Sequence, residues 1–378
     1  MNKINQHRPF RFYDNRQKYL AFVNTCNEKS RIARRAGMEL EHVRPNPPAL
    51  RLFDAGMGDA TLLTQLMRDV HRRFPTVPLF VNAKEISLED VRLGLEKMPD
   101  RFFEHPATVL VITNLRYADA PGLVPNGRDA GVEVNWHEVR LEGDSAYEYG
   151  EQIEALEPLL ADGWQTSVSG ATGNPLYVKP SVLVVYREDH EFILDPVIPR
   201  PGRSGFEYDF IVASQPWRAR MDAAFKVRNV LMPLSRSLAA GGRLLAIQSY
   251  GEDPGLQIVQ SIWPDENPFV VRRHELIGTL QDMLDTDARE FRFDPFPDSK
   301  SIFRYQMHTL PTEIGDNIGT STLFAAWNAA IYVNQIEDDR IEEAVNDGKY
   351  LSATRAVLKD HGGLWFNDET FVVSRRRG

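Results

Sequence analysis

One cysteine, Cys26, in 378 residues rules out an intrachain disulfide and any thiolate zinc cluster. It reads as a small core residue of the first helical segment. Histidine is sparse too, nine in all, and His308 and His361 lack metal-ligand spacing with other donors, so no metal is expected. No apolar run approaches the length of a membrane helix, and the opening MNKINQHRPFRFYDNRQKY has no apolar core like that of a signal peptide. A cytoplasmic protein without a membrane partner is expected. A basic excess is also missing: 44 Lys and Arg face 53 Asp and Glu, a net charge of -9. That balance gives no support to a long nucleic-acid groove, and Arg375-Arg376-Arg377 reads as a solvated tail. What is there is ordinary for a globular chain, 42% hydrophobic and 26% charged, long enough for one enlarged domain or two ordinary ones.

The organising stretch is Leu50 to Leu63, LRLFDAGMGDATLL. Leu50, Leu52 and Phe53 read as a buried strand ending at Asp54, and Gly56 and Gly58 let the backbone turn without Cβ clashes. Leu62, Leu63, Leu66, Met67 and Val70 then recur at helical spacing. Strand, glycine turn and helix in that order set backbone N–H groups beside a ligand at the carboxyl edge of a sheet. VPLFV (77–81) reads as a second strand, followed by Glu85. An acid there can accept two ribose hydroxyls; alternatively Glu85 merely precedes a helix opened by the Ser87-x-x-Asp90 capping pattern.

Asp54-Ala55-Gly56-Met57-Gly58-Asp59-Ala60 resembles the first motif of class I S-adenosylmethionine-dependent methyltransferases, an acid followed by Gly-x-Gly-x-Gly, with Ala60 in place of the last glycine. The resemblance implies that Asp54 deals with the cationic methionine end of S-adenosyl-L-methionine. An aspartate aimed at a dinucleotide pyrophosphate would instead repel it. Further along, Tyr208 to Ser214, YDFIVAS, resembles the family's fourth strand. Ser214-Gln215-Pro216-Trp217 resembles the (Asp/Asn/Ser)-Pro-Pro-aromatic box of amino methyltransferases, with Gln215 at the first proline, and implies catalytic roles for Ser214, Gln215 and Trp217. A proline turn with a packing tryptophan is the other reading. Leu238-Ala239-Ala240-Gly241-Gly242 resembles the approach to the fifth strand, where a glycine with positive φ ends a helix.

Residues 14–40 read as a helical segment that in this family serves as a lid, giving Tyr13, Arg16 and Tyr19 access to cofactor or substrate; simple packing is the alternative. The proline run 45–48 ends it. A third strand is expected at Thr108 to Thr113, with Asn114 at its carboxyl end. Val132 to Leu141 reads as a strand followed by Gly143-Asp144, which resembles the Gly-Asp at the end of the family's third strand, and the resemblance implies an adenine contact for either Asn114 or Asp144. A helix near 152–160 and strands at 166–169 and 181–186 suggest an inserted β-hairpin unit of the kind that shapes a pocket or a dimer contact, which leaves a homodimer open. A helix is expected from Ala219 to Ala239, bent at Pro233. Helices at 275–284 and 322–345, a strand at 303–308 and a final strand pair, LWF and TFVVS, complete the chain.

The expected fold is α/β, a Rossmann-like methyltransferase sheet, mostly parallel with an antiparallel last strand, carrying helical and β insertions. Its parts are a lid (1–46), a core (47–250) with an inserted unit at about 121–205, and a C-terminal elaboration (251–378). The expected activity is methyl transfer to a small-molecule or protein acceptor, amine nitrogen favoured, with Asp54, Gly56, Gly58, Glu85 and Asn114 or Asp144 at the cofactor. An NAD(P)-dependent oxidoreductase and a non-catalytic cofactor-binding scaffold are the readings from other classes.

Overall fold

TVLVIT (108–113) and SVLVVYR (181–187) are buried at every position, as strands covered on both faces must be. The computed structural model describes residues 16–126, 129–169, 175–202, 206–309, 311–315 and 317–377. Its strands are β1 (Leu50–Asp54), β2 (Leu79–Lys84), β3 (Thr108–Thr113), β4 (Asn135–Leu141), β5 (Thr166–Val168), β6 (Pro175–Tyr177), β7 (Ser181–Arg187), β8 (Tyr208–Ser214), β9 (Leu238–Ser249), β10 (Phe291–Asp294), β11 (Ile302–Gln306) and β12 (Trp365–Arg375). The main sheet runs β10-β12-β9-β8-β1-β2-β3-β7-β4, with β11 also on β12. β3, β2, β1, β8 and β9 are mutually parallel, and β12 enters antiparallel against β9. This is the Rossmann-like methyltransferase sheet that the sequence resemblance implied.

Strand order reverses at β1, whose neighbours β2 and β8 lead to opposite edges. That switch point opens a crevice at the carboxyl ends of the strands. One face packs Phe53, Val109 and Ile211 against Val230, Leu234 and Leu280. The other packs Leu52, Val81 and Phe210 against two helices, α1 lying further out: α1 (Arg16–Thr25), α2 (Glu28–Leu40) and α3 (Thr61–Arg73). The stripe Leu62, Leu63, Leu66, Met67, Val70 of α3 is buried, each side chain contributing roughly 2 kcal/mol. A third cluster joins Phe22 and Cys26 to Tyr305, Leu323, Trp327 and Phe366, so α1 and the C-terminal helix Thr320–Val333 form one roof.

Several expectations need correction. The helical segment before β1 is two helices, because Cys26 breaks the run to bridge Met307. The inserted unit is not a separate hairpin: β7 pairs antiparallel with β3 and β4 parallel with β7, extending the main sheet, and only β5 and β6 stand apart. The strand pair at the end is one continuous strand, β12. The helix around Pro233 is Ala223–Lys226, a π turn Val227–Leu231 and Met232–Arg236, the wide turn accommodating the missing proline N–H. Gly241 has φ +81 but does not end that helix. It sits in a bulge of β9, where the register jumps between Tyr208↔Leu238 and Phe210↔Arg243. The long helix expected at 322–345 is divided into Thr320–Val333 and Asp338–Asp347.

Candidate active site

The turn between β1 and α3 is built by carboxylates. Gly56 donates its N–H to Asp54 Oδ1 at 3.2 Å and Gly58 to Glu85 Oε2 at 2.9 Å. Gly58 takes φ +53, and a Cβ there would lie 2.6 Å from the Tyr19 hydroxyl oxygen, so only glycine fits both the conformation and the space. Ala60, at the third glycine position, adopts φ +59 with a fully buried side chain. Glu85 Oε1 accepts two further N–H bonds, from Ile86 at 2.8 Å and Ser87 at 2.9 Å. About one of its four lone-pair sites remains for a ligand.

Asp54 is wholly buried, and among the described residues its Oδ2 has no hydrogen-bond partner. Burial, with a smaller push from Glu85, raises its carboxyl to about 6 against the opposing pull of the Gly56 N–H and Lys29. Around the turn stand Asp59, clasped by Lys97 Nζ at 2.6 Å, and Asp90, raised by burial and then by Glu85 to about 7. Asp90 Oδ1 is also buried without a partner. Its backbone N–H bonds the Ser87 side chain as expected of a cap, but its carboxylate faces Glu85 and Asp59 electrostatically. A polyanion would be repelled here, and the N–H groups of Gly56 and Gly58 already have carboxylate partners.

Side-chain alternation extends the site across the sheet. Leu52, Phe210, Leu245 and Val372 lie on the face covered by α2 and α3, and residues two positions on share that face. Asp54, Ser214, Ser249 and Asp368 therefore form a row along the carboxyl edge, with Ser249 directly opposite Asp368. Among the described residues Ser214 Oγ and Asp368 Oδ2, like Asp54 Oδ2, are buried without partners. Gln215, at φ +50, ties the row together: its Oε1 accepts from Ser249 N–H at 3.1 Å and its Nε2 donates to Asp368 Oδ1 at 3.1 Å. Above it, Lys29 pairs with Glu28 at 3.1 Å and acts electrostatically on both Asp54 and Asp368.

Asp54, Gly56, Gly58, Glu85, Ser214 and Gln215 thus converge at the switch point, with Tyr19 over the turn and Arg16 nearby, 3.5 Å from Glu89. Tyr13 lies outside the described residues. Trp217 is turned into the opposite layer, 6% exposed, with Nε1 donating to Gln248 Oε1 at 3.0 Å. It lines a cavity of about 10 Å³ with Lys226 and Gln248, room for one water rather than a planar substrate. Asn114 does stand at the carboxyl end of β3, but its amide bonds Gly163 O, Lys179 O and Ser181 N–H at 2.8–3.1 Å. Asp144 is a correction. β4 runs antiparallel to β3, so Asp144 is exposed beyond the amino-terminal end of β3, on the wrong side of the sheet for adenine. The expectation failed because strand direction is not encoded in the strand's own residues. Sequence reading passed over Asp368 and Tyr305 and took Asp90 only as part of a helix cap; the polar triplet Asn367-Asp368-Glu369 inside an apolar strand was the available signal.

No protein-family model matches this chain, and no curated protein matches it. Similar solved structures include the [4+2]-cyclase SpnF, with 10% identity, TM-score 0.34 and coverage of 99% of this chain and 89% of that one. Another is mycolic acid cyclopropane synthase CmaA1 complexed with SAH and CTAB, with 12% identity, TM-score 0.32 and coverage of 99% and 91%. Geranyl diphosphate methyltransferase in complex with GPP and sinefungin has 13% identity, TM-score 0.31 and coverage of 90% and 77%. At these values, what the site does has to come from its own residues.

Proposed function

We propose that this chain is an S-adenosyl-L-methionine-dependent methyltransferase acting on a small-molecule or protein acceptor, an amine nitrogen favoured. The observation that carries the reading is Asp54: a buried carboxylate with an unpartnered oxygen, at the end of the first strand beside a glycine turn. An isolated buried carboxylate is costly, and a cationic ligand group offsets that cost. The methionine ammonium of the cofactor has the required charge. Gly56 and Gly58 would let the cofactor approach the backbone, and Glu85, with Asp90 beside it, would take ribose hydroxyls. The sulfonium supplies an already activated methyl group. The protein's part is then orientation and exclusion of water, for which α1, held down on the helix Thr320–Val333, is suited. Ser214 and Gln215 would border the acceptor. Trp217 would act by holding Gln248 rather than by stacking on substrate.

The oxidoreductase reading is disfavoured by the same charges, since a pyrophosphate at the turn would meet Asp54, Glu85, Asp59 and Asp90. A non-catalytic cofactor-binding scaffold keeps one supporting observation, the inward turn of Trp217. Calorimetric titration with S-adenosylhomocysteine, with NAD as control, tests the reading. A Gly56→Arg variant belongs beside it, because a Cβ at Gly56 meets only Ser214 O at 3.9 Å and the longer side chain would enter the site. Binding lost in the variant supports the proposal; NAD binding without S-adenosylhomocysteine binding overturns it. Methylated product from an amine pool then separates enzyme from scaffold.

A further inference from the structure

The two acids at adjacent positions of β12 have opposite fates. Glu369, on the face away from α2, is fully engaged: it accepts from Arg273 Nη1 at 3.0 Å, from the Arg273 N–H at 3.0 Å and from Gln248 Nε2 at 2.8 Å. Asp368, equally buried at 0% exposure, has among the described residues only Gln215 on one oxygen and nothing on the other. Leaving a buried charged oxygen unpaired costs more than a typical hydrogen bond contributes, so packing gains nothing from an acid here. Tyr305, 1% exposed, lies diagonal to it on β11, opposite Phe366 and on the same face, and its hydroxyl has no partner among the described residues.

The surroundings define what could fill this gap. Asp253 is occupied as a helix cap, accepting the N–H of Leu256 at 2.9 Å and of Asn367 at 3.0 Å. Lys29 is matched by Glu28. The remaining charge is therefore negative, and the walls are aromatic: Phe22 and Phe366 have ring centroids 6.0 and 5.3 Å from that of Tyr305. Carboxylate, hydroxyl acceptor and aromatic walls together suit an organic cation carrying N–H donors.

We propose that Asp368, with Tyr305, forms the acceptor subsite and binds an organic ammonium group. This rests on the methyltransferase reading for its purpose but not for its chemistry. Asp368 anchors the cation by a charge-assisted N–H bond to Oδ2, Tyr305 orients it, and Gln215 holds the carboxylate in place. Burial, followed by Glu28, pushes the Asp368 carboxyl well above the usual carboxylate range when no cation is present, as expected of a group awaiting a counter-charge.

The test uses dimethylammonium as probe, titrated into the full chain with and without saturating S-adenosylhomocysteine, with tetramethylammonium as a control that lacks N–H donors. Asp368→Asn is expected to weaken dimethylammonium by about tenfold or more, and Tyr305→Phe by a few-fold. S-adenosylhomocysteine affinity should stay within about twofold in both variants, which also reports that they are folded. Dimethylammonium binding that survives Asp368→Asn, or that never exceeds tetramethylammonium binding, overturns the subsite. Asp368-dependent dimethylammonium binding in a protein that ignores S-adenosylhomocysteine would keep the subsite and overturn the methyltransferase reading.

Discussion

Asp54→Asn should make the protein more stable at neutral pH while weakening its cofactor site. Burial raises the Asp54 carboxyl from 3.8 to about 6, a difference of about 2 units or about 3 kcal/mol. The raised value means that the folded chain holds its proton longer than the unfolded chain. Between pH about 4 and about 6 the folded state therefore binds more protons, and stability falls as pH rises through that window. Asparagine imitates the protonated acid and keeps an oxygen for the Gly56 N–H, while the oxygen it replaces has no partner to lose. Urea unfolding of both proteins across this range should show equal stability at the acid end. The gap should open to about 3 kcal/mol in favour of the variant above pH about 6. The acids Asp90 and Asp253, also raised, titrate in both proteins and largely cancel in the difference. S-adenosylhomocysteine affinity should fall by about tenfold or more. A gap that does not change with pH, or a variant less stable at pH 8, would refute the reasoning.

Gly58→Ala meets two penalties, about 1 to 2 kcal/mol for a left-handed alanine and the overlap with the Tyr19 hydroxyl. Repeating it in a Tyr19→Phe background removes only the overlap, so a double-mutant cycle in urea should give a coupling of about 1 kcal/mol; zero coupling would move Tyr19 off the turn. Trp217→Ala should cost roughly 3 to 5 kcal/mol, measured by thermal or urea unfolding. The fraction still folded should bind S-adenosylhomocysteine normally, as expected of a packing residue with its Nε1 bonded to Gln248. Lys97→Met takes the ammonium from Asp59 and Thr61. A loss of about 1 kcal/mol is expected. The Asp59 carboxyl is held below its ordinary value, burial being outweighed by the Lys97 and Thr61 bonds. Its contribution is thus present above pH about 4 and fades as pH falls, so the wild-type advantage over the variant should shrink in acid.

The parts of the fold that were legible in the sequence are those set by local pattern. β1, β2, β3 and β8 are short, mostly apolar runs interrupted by at most one polar residue, Arg51, Asn82 or Asp209, before their carboxyl ends, and the two glycines after β1 announce themselves by their spacing. That is enough to bring Asp54, Gly56, Gly58, Glu85 and Ser214 to one edge. What escaped depends on partners far away in the chain. Nothing within Asn135–Leu141 says that it will lie at the sheet's far edge pointing backwards, and Asp144 was misplaced for that reason. Trp217 follows a motif-like box, yet its environment is decided by Gln248 and Val271 on elements the box does not specify. Asp368 carries no local mark of its role beyond being polar where the strand should be greasy.

The position of β12 has a kinetic consequence. It is the last strand along the chain, yet it lies between β9 and the β10 and β11 edge strands, and it is needed before the roof over α1 can settle. A ribosome releasing this chain exposes the glycine turn early, while the acid row gains its final member only when β12 has emerged. Assembly of the crevice is therefore a late, non-local event of the kind that slows folding. Until then the nascent protein has half of a binding edge and none of its closure, so a ligand present during synthesis finds its complete site only once β12 has paired.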